Sequence, residues 1–282
     1  MTTLASPPWQ PIPRVVGTRY VVPLREGGSL PAVVDTDPPG PYVVKFRGAG
    51  QGPKALIAEV LAAGLARAAG LPVPGPAIVE LGDGFGRAEP DPEIQDILRA
   101  SVGANFGLAY LAGALAFDPS VDTTVPPDLA AAIVWFDAYL TNVDRTVRNT
   151  NLLVWRGGVW LIDHGATLYL HHRWEGWEGR IQSAFPEIKN HVLLHTAADL
   201  EQADARLRPR LTEAVIRDVV GSVPAEWLGG EELFASLDAH RAAYVRYLVE
   251  RLNGPRPWLR EAVAAQAAPA VRLGPRLTHR VV

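Results

Sequence analysis

The sequence predicts an α+β fold in two lobes, a small strand-rich lobe followed by a larger, mostly helical one. Three observations predict it. Short β-branched runs broken by Gly/Pro turns fill residues 14–47. Runs with helical spacing dominate from residue 126 onward. Near the start of the second regime, just after a strongly apolar helix, two short apolar runs flank a glycine pair and are themselves bracketed by Asp and Asn. At 282 residues the chain is long enough for one large domain or two lobes around a substantial core.

The elements follow in order. Residues 1–13 read as a loose tail, proline-rich and without an apolar signal-peptide core. Arg14 to Leu24 is a predicted strand, Arg25 to Pro31 a Gly-Gly-Ser-containing loop, and Ala32 to Asp35 the next strand. Asp37-Pro38-Pro39-Gly40-Pro41 is a turn, and Tyr42 to Arg47 a third strand. After the flexible Gly48–Pro53, a helix is predicted over Lys54–Ala69, with Leu56, Val60 and Ala63 on one side and Gly70 as its stop. Ala77 to Leu81 is a strand, Pro92 to Val102 a helix, and Asn105 to Leu111 a strand linking the lobes. Pro126 to Leu140 is a helix ending at Thr141-Asn142. Leu152–Trp155 and Val159–Ile162 form a predicted hairpin about Gly157-Gly158. Helices follow at Arg210–Val219, Glu231–Leu252 and Trp258–Ala267, and the last dozen residues read as frayed. The domain division is therefore 1–13, 14–111, 112–270 and 271–282.

Composition narrows the function. Hydrophobic residues make up 48% and charged residues 20%, which fits a globular, soluble chain. The absence of cysteine excludes disulfides, thiolate metal sites and cysteine nucleophiles. A net charge of −3 with no basic run gives no nucleic-acid footprint. No apolar run is long enough to span a membrane, so a cytoplasmic location is expected. Only three lysines occur, Lys45, Lys54 and Lys189, so a lysine inside an apolar strand is notable.

Asp144 to Gly165 carries the chemistry. Asp144 is followed five residues later by Asn149, then by the hairpin, then by Asp163-His164-Gly165. That is the order of groups phosphoryl transfer requires: a carboxylate for the attacking hydroxyl, then oxygen ligands for magnesium. The hairpin brings Asn149 and Asp163 to one end. Spacing points to Asn149 as the metal ligand beside Asp163, with Asn151, which directly precedes the strand, also open. Lys45, in Tyr-Val-Val-Lys-Phe, needs an anionic partner. Glu59, the lone acid of the first helix, supplies one and leaves Lys45 to hold the α/β-phosphates of ATP. Gly27, Gly28 and Ser29 are placed to cradle phosphates through backbone N–H groups. Arg145 and Arg148 are candidates to neutralise the γ-phosphate. His164 reads as a packing residue, His171-His172 as loop residues, and Arg173–Trp177 as a substrate contact or core.

Together, Gly27–Pro31, Tyr42–Phe46, Glu59, Asp144 with Asn149, and Leu161–Gly165 give the chain a resemblance to the HipA-like kinases, atypical bacterial serine/threonine kinases. The arginine follows the aspartate (Asp144-Arg145), as in this family and the phosphoinositide kinases. The resemblance implies a bilobal protein-kinase-like fold, ATP with Mg2+, and transfer to a protein hydroxyl. It also implies a possible antitoxin partner and autophosphorylation at Ser29. The family's histidine two residues after the aspartate is Thr146 here, and its long N-terminal extension has no counterpart before residue 14, which points to a short, stand-alone branch. A small-molecule or lipid kinase, a pseudokinase that binds nucleotide or partner without transfer, and nucleotidyl transfer are the competing expectations. Neither direct nucleic-acid binding nor a membrane is expected.

Overall fold

The computed structural model describes residues 10–24, 30–37, 40–121 and 125–269. The N-terminal part is built on a closed barrel of five strands: β1 (Arg14–Pro23), β2 (Ala32–Thr36), β3 (Tyr42–Lys45), β4 (Pro76–Leu81) and β5 (Gly103–Ala109). The order is β1-β2-β3-β5-β4, closed by a parallel pairing of β1 with β4. Alternation decides what faces inward. Tyr42, Val44 and Phe46 fill the barrel with Val34, Val79 and Leu81, while Val43 and Lys45 face the other way.

Helix α1 (Gly52–Ala69) lies between the barrel and the helical part. It is buried on nearly every face, not only along the Leu56–Val60–Ala63 stripe, because it packs on β4 and β5 on one side and on α5 (Glu213–Gly221) on the other. Gly70 ends it at φ +84°, with its N–H donated to the last-turn carbonyls. A short helix α2 (Pro92–Ala100) precedes β5.

The helical part holds α3 (Pro127–Leu140), α4 (Leu200–Leu207), α5, α6 (Leu237–Asn253) and α7 (Pro257–Ala267). Trp135 and Tyr139 of α3 and Trp258 of α7 pack together at 5.6–5.7 Å. Arg251 of α6 is buried beside them and donates to the carbonyls of Tyr139, Ile181 and Ser183. A small sheet, β6 (Leu115–Ala116), β7 (Leu152–Trp155) and β8 (Gly158–Leu161), in the order β6-β7-β8, joins the same core through Leu152, Val159 and Leu161. The result is a mixed α+β architecture with a β-rich N-terminal part and a helical C-terminal part.

Several boundaries differ from the sequence reading. The hairpin turns on Arg156-Gly157, both at positive φ (50° and 75°), and Gly158 already pairs with Trp155. Two left-handed residues suit the twist of a two-residue hairpin. Helix α5 starts at Glu213 because Thr212 caps it, accepting from the Val215 N–H. Helix α6 starts at Leu237, not Glu231, because Ser236 caps it. His171-His172 lie in a 3-10 turn, Tyr169–His172. Helix α4, strand β6 and the 3-10 turns between residues 169 and 210 went unread, being too short to show a period. Trp174 and Trp177 are core.

Burial pushes His171 down to about 3 from its ordinary value of 6.5, helped by the nearby His172, Lys54 and His240. The neutral ring contacts the Tyr244 hydroxyl at 3.1 Å. Burial lowers His191 and His240 as well. The unfolded chain therefore takes up more protons as pH drops, so this stabilisation is complete above pH 6.5 and is lost as pH falls through 6.5 toward about 3. Urea midpoints should fall between about pH 7.5 and about pH 5, a range above the ordinary carboxylate values. In His171→Phe the fall should be smaller.

Candidate active site

A cleft of about 790 Å³ lies between the barrel and the small sheet. Val22, Val43 and Leu108 wall it from the barrel, Leu153 and Ile162 from the hairpin side, and Tyr110 and Leu111 from the connection between the two parts. Lys45 and Asp163 form its polar end. Apolar walls with a few convergent charges are the usual make-up of a small-molecule site.

Strand alternation sends Lys45 into this cleft. Its Nζ donates to Glu59 Oε1 and to Asp163 Oδ1, each at 2.5 Å. Burial alone would depress the ammonium, but Glu59 and Asp163 outweigh that and hold it above the usual lysine range. Burial likewise opposes charge on Glu59, yet Lys45 and the neighbouring His164 hold this carboxyl well below its usual range. Glu59 is fully buried, and its Oε1 also accepts the His164 backbone N–H at 3.0 Å. The lysine, the helix glutamate and the aspartate after β8 thus meet, although Lys45 and Asp163 stand 118 positions apart.

The segment after α3 holds the second carboxylate. Thr141 closes the helix at φ +56°, and the Asn142 side chain accepts the Asp144 N–H at 3.1 Å. Asp144 Oδ2 accepts from the Asn149 amide at 2.8 Å and from the Asn151 amide at 3.2 Å. A carboxylate only accepts, so both amide nitrogens face it and both amide oxygens point elsewhere. Asn151 also donates to the Asp144 carbonyl and lies directly before β7, where its own carbonyl accepts the Ile162 N–H. It is buried and tied to the residue before Asp163, whereas Asn149 is exposed.

Beneath this loop sits a buried carboxylate the sequence reading missed. Asp137 accepts from Arg145 Nε at 2.6 Å, from the Asn142 amide at 2.9 Å and from His191 Nε2 at 2.9 Å. His191 Nδ1 accepts the Leu193 N–H, which fixes the proton on Nε2. Burial opposes the charge of Asp137, but Arg145 and His191 hold its pKa far below the usual range. Arg145 reaches on to the carbonyls of Asn151 and Ile162. A signal was available: Asp137 is the lone acid in Ala130–Leu140, the same pattern that singled out Glu59.

This corrects the expectation for Arg145. It is only 1% exposed, turned inward onto Asp137, and presents no charge to the cleft. A guanidinium adjacent to a buried carboxylate is kept there by the cost of separating the pair. Arg148 is the exposed guanidinium of the loop. Gly27, Gly28 and Ser29 lie outside the described residues, while Leu24 and Pro31 on either side line the cleft.

The profile of the HipA-like kinase family matches residues 22–260, which includes β2 to β5, the cleft and helices α3 to α6. The chain belongs to the HipA-like kinase family. Its fold is similar to the crystal structure of the Helicobacter pylori proinflammatory kinase CtkA, with a TM-score of 0.55 and 14% identity, over 90% of this chain and 98% of that one. No protein of curated function matches the sequence significantly. As a HipA-like kinase, the chain carries the lysine, glutamate and aspartate contacts in a cleft between a β-rich and a helical part.

Asp137→Asn removes the anion and leaves Arg145 buried without a counter-charge. Urea unfolding should show a loss of roughly 3–5 kcal/mol, the cost of breaking a buried pair from one side.

Proposed function

We propose that this kinase is bilobal in the protein-kinase manner, uses ATP with Mg2+, and transfers the γ-phosphate to a serine or threonine hydroxyl of a protein. The observation that carries the reading is Lys45, held between Glu59 and Asp163 at the polar end of an apolar cleft. A base-sized apolar slot leading to a fixed ammonium suits a nucleotide whose phosphates meet Lys45.

The donor set fits magnesium. Asp163 offers a carboxylate 40% exposed to the cleft side, and the asparagines offer amide oxygens turned away from Asp144. Hard oxygen donors, few in number, match an ion that completes its shell with phosphates and water. Of the two asparagines, Asn151 is the proposed ligand: it is held by two bonds to Asp144, and its carbonyl accepts the N–H of Ile162, the residue before Asp163. When bound, the ion would neutralise charge on the phosphates.

The chain's own residues do the rest. Asp144 Oδ2 is engaged by both amides, so Oδ1 is the oxygen for the acceptor hydroxyl. It takes the proton as the acceptor oxygen bonds to the γ-phosphorus and the bond to the β-bridging oxygen breaks. Lys45 holds the phosphates in line. Glu59 orients Lys45, and Asp137 with Arg145 fixes the loop that carries Asp144. Arg148, the exposed guanidinium of the loop, is the candidate to meet phosphate or acceptor.

Purified protein with magnesium and γ-labelled ATP should transfer label to protein, and Asp144→Ala should lower the rate about 10²–10⁴-fold. Asp163→Ala should abolish it. Asn151→Ala should raise the magnesium requirement more than Asn149→Ala does. Label delivered from the α-position, or ATP bound without transfer, would overturn the reading.

A further inference from the structure

The side chain of His164 is not used by the reading above. It sits between Asp163 and Gly165, is 0% exposed, and neither ring nitrogen has a hydrogen-bond partner. Among the described residues, a buried carboxylate faces it. Glu59 Oε2, also buried and also without a hydrogen bond, lies 3.5 Å from His164 Nδ1. The other glutamate oxygen already accepts from Lys45 and from the His164 backbone N–H.

A buried donor and a buried acceptor facing each other, each otherwise unsatisfied, are costly apart and favourable together. A small closure of 3.5 Å would satisfy both. Packing alone does not account for the residue type. A phenylalanine or leucine would fill the space without stranding two ring nitrogens beside a carboxylate.

We propose that His164 is a positioning residue, donating from Nδ1 to Glu59 Oε2, so that backbone and imidazole together clamp Glu59 to the Asp163–Gly165 turn. This rests on the kinase reading and deepens it. Lys45 here divides its ammonium between Glu59 and Asp163. Whenever Asp163 is engaged elsewhere, Glu59 is the partner that keeps Lys45 aimed, and Glu59 keeps its own orientation through His164. The clamp also makes Asp163 and Glu59 move as one body, because adjacent residues of one turn hold both.

Two variants separate the clamp from filling. His164→Asn keeps a donor near the Nδ1 position but loses ring volume; His164→Phe keeps the ring and loses the donor. The expected result is a kcat lowered roughly tenfold or more in His164→Phe, the size of one hydrogen bond to a charged group, with a smaller change in KM for ATP and less loss of rate in His164→Asn. Thermal unfolding should rank the variants the other way, with Asn the less stable because of its cavity.

A readout independent of turnover is the long-range proton–nitrogen NMR spectrum of histidine-labelled protein, assigned by the loss of one signal in His164→Phe. The clamp requires His164 to be protonated on Nδ1. An Nε2-protonated ring, or a His164→Phe enzyme as active as the parent, overturns the proposal. So does a rate loss that follows thermal stability in both variants. Should the parent protein transfer no phosphate, the kinase reading fails, and the tautomer still decides whether the clamp exists.

Discussion

The active-site half of the molecule depends on one buried anion. Asp137 projects from the last turn of α3 into the buried interior, and three donors from two places converge on it: Arg145 and Asn142 from the loop after the helix, His191 from a later segment. None of these partners is there to add net stability, since a buried ion pair gains little over an apolar replacement. Their effect is geometric. Arg145 continues to the carbonyls of Asn151 and Ile162, so the same guanidinium that satisfies Asp137 sets the start of β7 and the end of β8. The positions of Asp144 and Asp163 follow from a charge that neither of them touches.

Helix α1 plays the matching part on the other side of the cleft. It is buried on nearly every face because it is shared between barrel and helical part, and it carries one carboxylate, Glu59. Lys45 reaches that charge from β3 and Asp163 reaches Lys45 from beyond β8. Two fully buried helix acids, Glu59 and Asp137, thus organise the two walls of the site.

Much of this was legible in the sequence. Period-two alternation around Lys45, the lone Glu59 and the order Asp144, hairpin, Asp163 gave the strand, the helix and the convergence, because each depends on local spacing. Arg145 was misread for the same reason: its neighbours in sequence are functional, but its direction is set by Asp137, eight positions back and on the far side of a helix end. The choice between Asn149 and Asn151 turns on the left-handed Asn151, φ 47°, and on cross-strand bonding to Ile162, neither of which spacing records. Short elements such as β6 and α4 escaped because their burial is decided by what packs on them.

The parallel closure of β1 onto β4 has a consequence for how the protein meets others. Where Arg14–Gly17 pair with Ile78–Leu81, the main-chain groups on the facing sides of both strands are taken up, so that seam gives an incoming chain no edge to extend. Recognition at that seam falls to side chains and loops, which tolerate sequence change in a way that a main-chain ladder does not.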